Sequence, residues 1–159
     1  MKRLVMLPAA MLVMAILWPA PVGGQTQTSV TGAGAGVFPS GASFVGVSLQ
    51  ALKLGMGLTV AGGAAQGQFQ TTLIGVSLLG LEQDIQVEGK ASSGSSGPNS
   101  AIFSGTCTVE MGDGTPPLPG VPFTVVVATN ADGTGSLTLT LGATNLPVAT
   151  VNEGYMTIR

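Results

Sequence analysis

The stretch AIFSGTCTVEM, residues 101–111, alternates apolar and polar side chains with a period of two. The apolar set comprises Ala101, Phe103, Cys107, Val109 and Met111, with Gly105 on the same side. The other set is polar except for Ile102. Because successive side chains of a strand point to opposite faces, this pattern predicts a strand with one buried face.

The same period recurs in residues 81–91, 121–129 and 136–141, and residues 154–159 are predicted to form a final strand. Weaker patterns predict strands at 28–37, 42–52, 56–61 and 67–74, with 75–81 as a further candidate. Few of these segments carry Glu, Lys or Arg, which favour helices, whereas Val and Thr favour strands.

The connecting segments are rich in turn residues. Asp132-Gly133, within Asn130–Gly135, is a strong hairpin signal. The run Ser92–Ser100 is predicted to be a flexible loop, and Met111–Gly120 an extended loop containing several prolines. The fold class predicted is all-β: a single antiparallel β-sandwich or small β-barrel of about eight strands, following a signal peptide.

The tetrapeptide GVSL occurs twice, at 46–49 and at 75–78. The copies agree poorly beyond these residues, and a repeat architecture needs at least three units. We interpret them as two strand segments in similar environments.

The first 24 residues have the three parts of a secretory signal peptide. A basic start precedes an apolar run from Leu4 to Trp18, followed by prolines and small residues. Cleavage is expected after Gly24, with a cut after Ala20 or an uncleaved anchor as alternatives. Residues 25–159 then form a single all-β domain, secreted or periplasmic, with no membrane span in its mature form.

The charge and the cysteine content argue against nucleic-acid binding and against an internal disulfide. Residues 25–159 hold three basic and seven acidic side chains, a net charge of about −4. Nucleic-acid binding requires a positive field, so no nucleic-acid partner is expected. The lone Cys107 cannot form an internal disulfide.

The sequence contains no histidine. The usual general base and the commonest zinc ligand are therefore missing, and neither GVSL copy completes a Gly-x-Ser-x-Gly motif. No catalytic, cofactor-binding or metal-ligating residue is assigned.

Four features of the sequence are candidate functional sites. Cys107 is either a reactive thiol or, as its alternation favours, a buried one. Asn130–Gly133 is either a calcium loop or a hairpin turn, which we favour. Glu82, Asp84 and Glu88 are either an acid–base set or, as we favour, a solvated strand face. Met111–Gly120 is either a connector, which we favour, or the first place to look for a partner site.

The order GAGAGVFPSGASF, GQFQ, AIFSGTCTV, PFTVVVATNADG and GYMTIR resembles that of the post-COAP family of small secreted bacterial domains. The resemblance implies an antiparallel β domain, often appended to larger secreted proteins. It supplies no catalytic residues.

The function expected is that of a secreted non-enzymatic β domain with a structural or interaction role toward an unknown protein or cell-surface partner. The alternative is a small β-barrel carrier of an apolar ligand. An internal pocket of several hundred Å³ would distinguish the carrier. An enzyme that uses carboxylates alone ranks third.

Overall fold

The computed structural model describes residues 26–159, and the predicted signal peptide, residues 1–24, lies outside this part of the chain. The described chain forms ten strands and no helix, which confirms the all-β prediction. The strands are β1 (Thr28–Val37), β2 (Ser43–Phe44), β3 (Val47–Ala61), β4 (Ala64–Val76), β5 (Glu82–Ser96), β6 (Ser100–Glu110), β7 (Leu118–Thr129), β8 (Gly135–Leu141), β9 (Thr144–Asn145) and β10 (Ala149–Ile158).

The sheet closes on itself. Each long strand pairs antiparallel with its neighbours in the order β1-β10-β8-β7-β6-β5-β4-β3, and β1 also pairs with β3 along its whole length. The eight long strands therefore form an up-and-down barrel, which decides between the two predicted architectures. Closure gives every long strand a partner on both sides, although β8 and β10 pair only through residues 135–137 and 149–151. Among residues 26–159, no helix is long and apolar enough to cross a membrane.

Packed aromatic rings fill the middle of the barrel. The ring centroids of Phe69, Phe103 and Phe123 lie 5.8–6.3 Å apart, and all three side chains are buried. Gly89 faces these rings, and a Cβ atom built on it would lie 2.7 Å from Phe123 Cε1. An eight-stranded barrel is just wide enough for side chains to fill, and these residues fill this one.

Several predicted boundaries were wrong. The segments 42–52 and 56–61 belong mostly to one strand, β3, and 77–81 is a turn. Ser92–Ser96 was predicted to be a loop but lies in β5, since β6 provides backbone partners through Ser96. Leu118–Gly120 likewise lies in β7, and the last strand begins at Ala149 rather than Gly154.

The two GVSL segments lie side by side, because Ser48 pairs with Val76 and Leu49 with Gly75. Their environments differ, contrary to our interpretation. Leu49 is buried in β3, whereas Leu78 is exposed in the turn after β4.

The barrel has two distinct ends. The end that we call the leucine end carries the connections 38–46, 77–81, 111–117 and 142–148. The opposite end, the terminal end, carries the connections 62–63, 97–99 and 130–134. The first described residues and Arg159 also lie there, with Ser29 and Arg159 joined by two backbone hydrogen bonds. The leucine end is therefore remote from both described termini.

The packing predicts unequal effects for two glycine substitutions. Gly89→Ala places a methyl group against Phe123 and should lower the free energy of unfolding by about 1–3 kcal/mol. Gly55→Ala is the matched control, because its Cβ atom would point outward with nothing within 4 Å. It should change stability by less than about 0.5 kcal/mol. Urea denaturation measures both, and equal losses would contradict a filled barrel interior.

Candidate functional site

Exposed apolar side chains are concentrated at the leucine end. Ten large apolar residues are exposed within residues 26–159, and seven of them lie at or beside this end. These seven are Val37, Val45, Leu78, Leu79, Leu81, Leu118 and Val148. Leu78 is 90% exposed and Leu79 86%. Single exposed apolar residues are ordinary, but clusters of them often mark interaction sites.

A tight turn, Ser77–Leu81, presents the two most exposed leucines. Gly80 N donates a hydrogen bond to Ser77 O at 2.9 Å, and Ser77 N donates to Leu81 O at 2.9 Å. Gly80 has a φ of +79°, which glycine adopts readily. Leu78 and Leu79 therefore occupy the central positions of this turn, where Gly, Pro, Asn, Asp and Ser predominate. The turn fixes the backbone and directs both side chains into solvent.

A second turn, Val45-Gly46, joins β2 to β3 and also has an apolar residue at a central turn position. Both residues have positive φ, 47° for Val45 and 81° for Gly46, as in the hairpin turn for which Asn-Gly is preferred. A β-branched residue is unfavourable in this conformation, at a cost of about 1–3 kcal/mol. Val45 is nevertheless 73% exposed, so core packing does not account for it.

The two turns meet in one shallow cleft of about 280 Å³, which we call the apolar cleft. Val45, Leu78, Leu79, Met111 and Asp113 are among its lining residues. The Gln83 side chain donates a hydrogen bond to Met111 O at 2.8 Å, which fastens the loop after β6 to the start of β5. Three separate connections thus build one surface.

Carboxylates border the apolar cleft on one side. Asp113 lines it, and Glu82 follows the leucine turn directly. Asp84 and Glu110 lie nearby on the outer face of β5 and at the end of β6, and all four are exposed. The three cations of the described chain lie elsewhere: Lys53 and Lys90 within strands, and Arg159 at the terminal end.

An Asp-Gly-Thr turn holds Asp113 in place. The hydroxyl and the backbone amide of Thr115 donate to Asp113 Oδ1 at 2.6 and 2.9 Å. These bonds, the hydroxyl first, lower the pKa of Asp113 below its ordinary value, so the carboxylate is ionised at neutral pH.

The same three residues recur at the terminal end as Asp132-Gly133-Thr134. Thr134 donates to Asp132 Oδ1 through its hydroxyl at 2.6 Å and its amide at 3.0 Å, which likewise lowers the pKa of Asp132. The segment is the predicted hairpin turn between β7 and β8. Within residues 26–159, no three His, Cys, Asp or Glu residues are grouped as a metal site requires.

Cys107 is buried on the inner face of β6, as its alternation predicts. It pairs with Gly89 of β5 and Val121 of β7. Burial raises the pKa of its thiol from 9.0 to about 11. Little thiolate therefore forms at neutral pH.

The outer faces of β3, β4 and β5 form a second, polar surface. A shallow depression of about 290 Å³ is lined by Lys53, Gln70, Thr72, Gln86 and Glu88, among others. Glu82, Asp84 and Glu88 are exposed on the outer side of β5, so the structure places the predicted acidic set on a solvated strand face.

No family model, curated protein or solved structure matches the chain. The apolar cleft is therefore identified from the structure of this chain alone. Leu78 and Leu79 were not predicted to be site residues, because the pattern of 75–81 made it a strand candidate. The available signal was the dipeptide Leu-Leu before Gly80, outside any period-two pattern. A partner site was the alternative interpretation of Met111–Gly120, and two residues of this segment, Met111 and Asp113, line the cleft.

The burial of Cys107 predicts slow thiol chemistry. The folded protein should react with a bulky disulfide reagent at least a hundredfold more slowly than the urea-unfolded protein, followed by absorbance at neutral pH. The matched control is Thr106→Cys in a Cys107→Ala background, because Thr106 is the outward-facing neighbour on the same strand. It should react at the unfolded rate. Equal rates for both folded proteins would contradict the assigned inner face.

Proposed function

We propose that this chain is a secreted, non-enzymatic β domain that acts by binding another molecule through its surface. The observation that carries the proposal is the group of exposed apolar side chains at the leucine end. Two ordered turns place Val45, Leu78 and Leu79 in solvent beside one another. Hydrophobic groups that are held rigidly and left uncovered suit an interaction surface, because little side-chain and loop entropy is lost on binding.

The filled interior favours surface binding over the carrier alternative. Phe69, Phe103 and Phe123 pack at mid-height, and the space above the inward Gly32 is occupied by Met56 and Met156. A carrier keeps an internal cavity of roughly 300–1,000 Å³ for its ligand. The depressions described above are open and are lined from the outer surface or the barrel end.

The distribution of reactive groups favours a non-enzymatic role. The chain has no histidine, and its single thiol is buried with a raised pKa. The carboxylates Glu82, Asp84 and Glu88 of β5 are exposed on the outer face of the strand. General acid–base catalysis uses groups that are placed together and whose pKa values suit the proton transfer.

Export rests on the pattern of residues 1–24. A basic start, an apolar run and small residues before Gln25 are typical of a cleaved signal peptide. The resemblance to the post-COAP family points to the same destination.

Native mass spectrometry of the chain expressed in a secreting bacterial host tests these points together. The exported protein should begin at Gln25 and carry no small-molecule adduct, and its native and denatured masses should agree. A stoichiometric adduct of several hundred daltons, lost on denaturation, would support the carrier instead. Retention of Met1 in the extracellular or periplasmic protein would contradict cleavage after Gly24.

A further inference from the structure

We infer that the apolar cleft is a docking site for a partner protein that presents an apolar face flanked by lysine or arginine side chains. The inference rests on the proposed function and specifies the chemistry of its partner. Its physical basis is the combination of an ordered apolar centre with a carboxylate border.

Two turns of the apolar cleft carry apolar residues at positions where glycine or polar residues predominate. Leu78 and Leu79 occupy the middle of one turn, and Val45 occupies a positive-φ position in the next. A methyl group on Gly46 would lie 3.6 Å from Leu78 Cδ1, so the two turns are in contact range. Residues that break local rules without a benefit to the fold are expected at functional sites. Here two independent departures converge on one cleft.

The carboxylates indicate the charge of the partner. Asp113 lines the cleft, and Glu82, Asp84 and Glu110 lie beside it, with no described cation at this end. A second copy of the chain would bring like charges together, and an anionic membrane surface would be repelled. Cationic side chains around an apolar face would instead pair with this border, as charged rims do in other interfaces.

The position in the fold is also suitable. The leucine end lies at the opposite end of the barrel from Ser29 and Arg159. The backbone of the leucine turn is fixed by hydrogen bonds of 2.9 Å at Ser77 and Gly80. Binding therefore requires little ordering of this loop.

The test measures binding of a synthetic helical peptide made of leucine and lysine to the exported protein, by fluorescence anisotropy. A peptide of the same pattern with glutamate in place of lysine is the control probe. We expect saturable binding of the lysine peptide only, weakened by added salt because the charge pairs are exposed. Equal binding of both peptides would overturn the inference.

Substitutions in the apolar cleft test whether the peptide binds there. Leu78→Ser with Leu79→Ser should weaken binding at least tenfold, whereas Ile102→Thr, which alters an exposed apolar residue on β6, should leave it unchanged. Val45→Asn should raise the melting temperature, because Asn-Gly suits this turn, yet weaken binding several-fold. A variant that is more stable but binds less well would show that its loss of binding is not caused by a loss of folded structure. Unchanged binding in the leucine variant would overturn the inference.

The charge border has a matched pair of variants. Asp113→Asn and Asp132→Asn each remove one carboxylate from an Asp-Gly-Thr turn while keeping a side-chain oxygen to accept the threonine hydrogen bonds. Asp113→Asn should weaken lysine-peptide binding several-fold, and Asp132→Asn should not. Equal effects would show attraction to overall charge and overturn the assignment of the border.

Two further outcomes would identify a different occupant. Sedimentation that shows a dimer lost in the leucine variant would assign the cleft to a second copy, and leucine-dependent binding to phosphatidylcholine vesicles would assign it to lipid; either result overturns the inference. These results do not depend on whether native mass spectrometry shows a small-molecule adduct. The partner chemistry can therefore fail while the proposed surface-binding function stands.

Discussion

The pairing of β1 with both β3 and β10 is the constraint on which the structure depends. Residues 28–37 join the third strand to the last, so the closing contact links segments more than a hundred residues apart in the chain. Without it, β3 and β10 would each present a long row of unpaired amides and carbonyls. With it, every long strand has two neighbours, and the interior becomes a closed space that side chains must fill.

Filling that space explains the distribution of small and large residues. Gly32 of the closing strand faces Met56 and Met156, and Gly89 faces Phe123, so each of these two glycines receives a large side chain from a neighbouring strand. The interior is therefore occupied by hydrocarbon and aromatic groups, apart from the buried Thr71, whose hydroxyl donates to Lys53 O. This packing leaves the outer surface and the two ends as the places where the protein can meet other molecules.

The two ends have different chemistry because their connections differ. The terminal end has glycine and polar turns, including Asp132-Gly133-Thr134. The leucine end has the same Asp-Gly-Thr motif at 113–115, but it lies beside leucine and valine turns. The Val45-Gly46 turn and the Ser77–Leu81 turn are neighbours because β3 and β4 pair in the observed register, which aligns Ser48 with Val76. The apolar cleft is thus a product of strand register.

The sequence by itself determined the all-β class and the inward faces of the clearest strands. Period-two alternation placed Phe103, Cys107 and Val109 inward, and Asp132-Gly133 marked its hairpin turn, because strand and turn preferences act between near neighbours. It did not decide between a sandwich and a barrel, and it did not reveal the strand character of the Ser- and Gly-rich segment 92–96 or the apolar cleft. Those depend on which strands pair and in what register, and pairing between distant segments is decided by the packing of the whole chain. Tertiary structure alone therefore brought Val45, Leu78 and Asp113 to one surface.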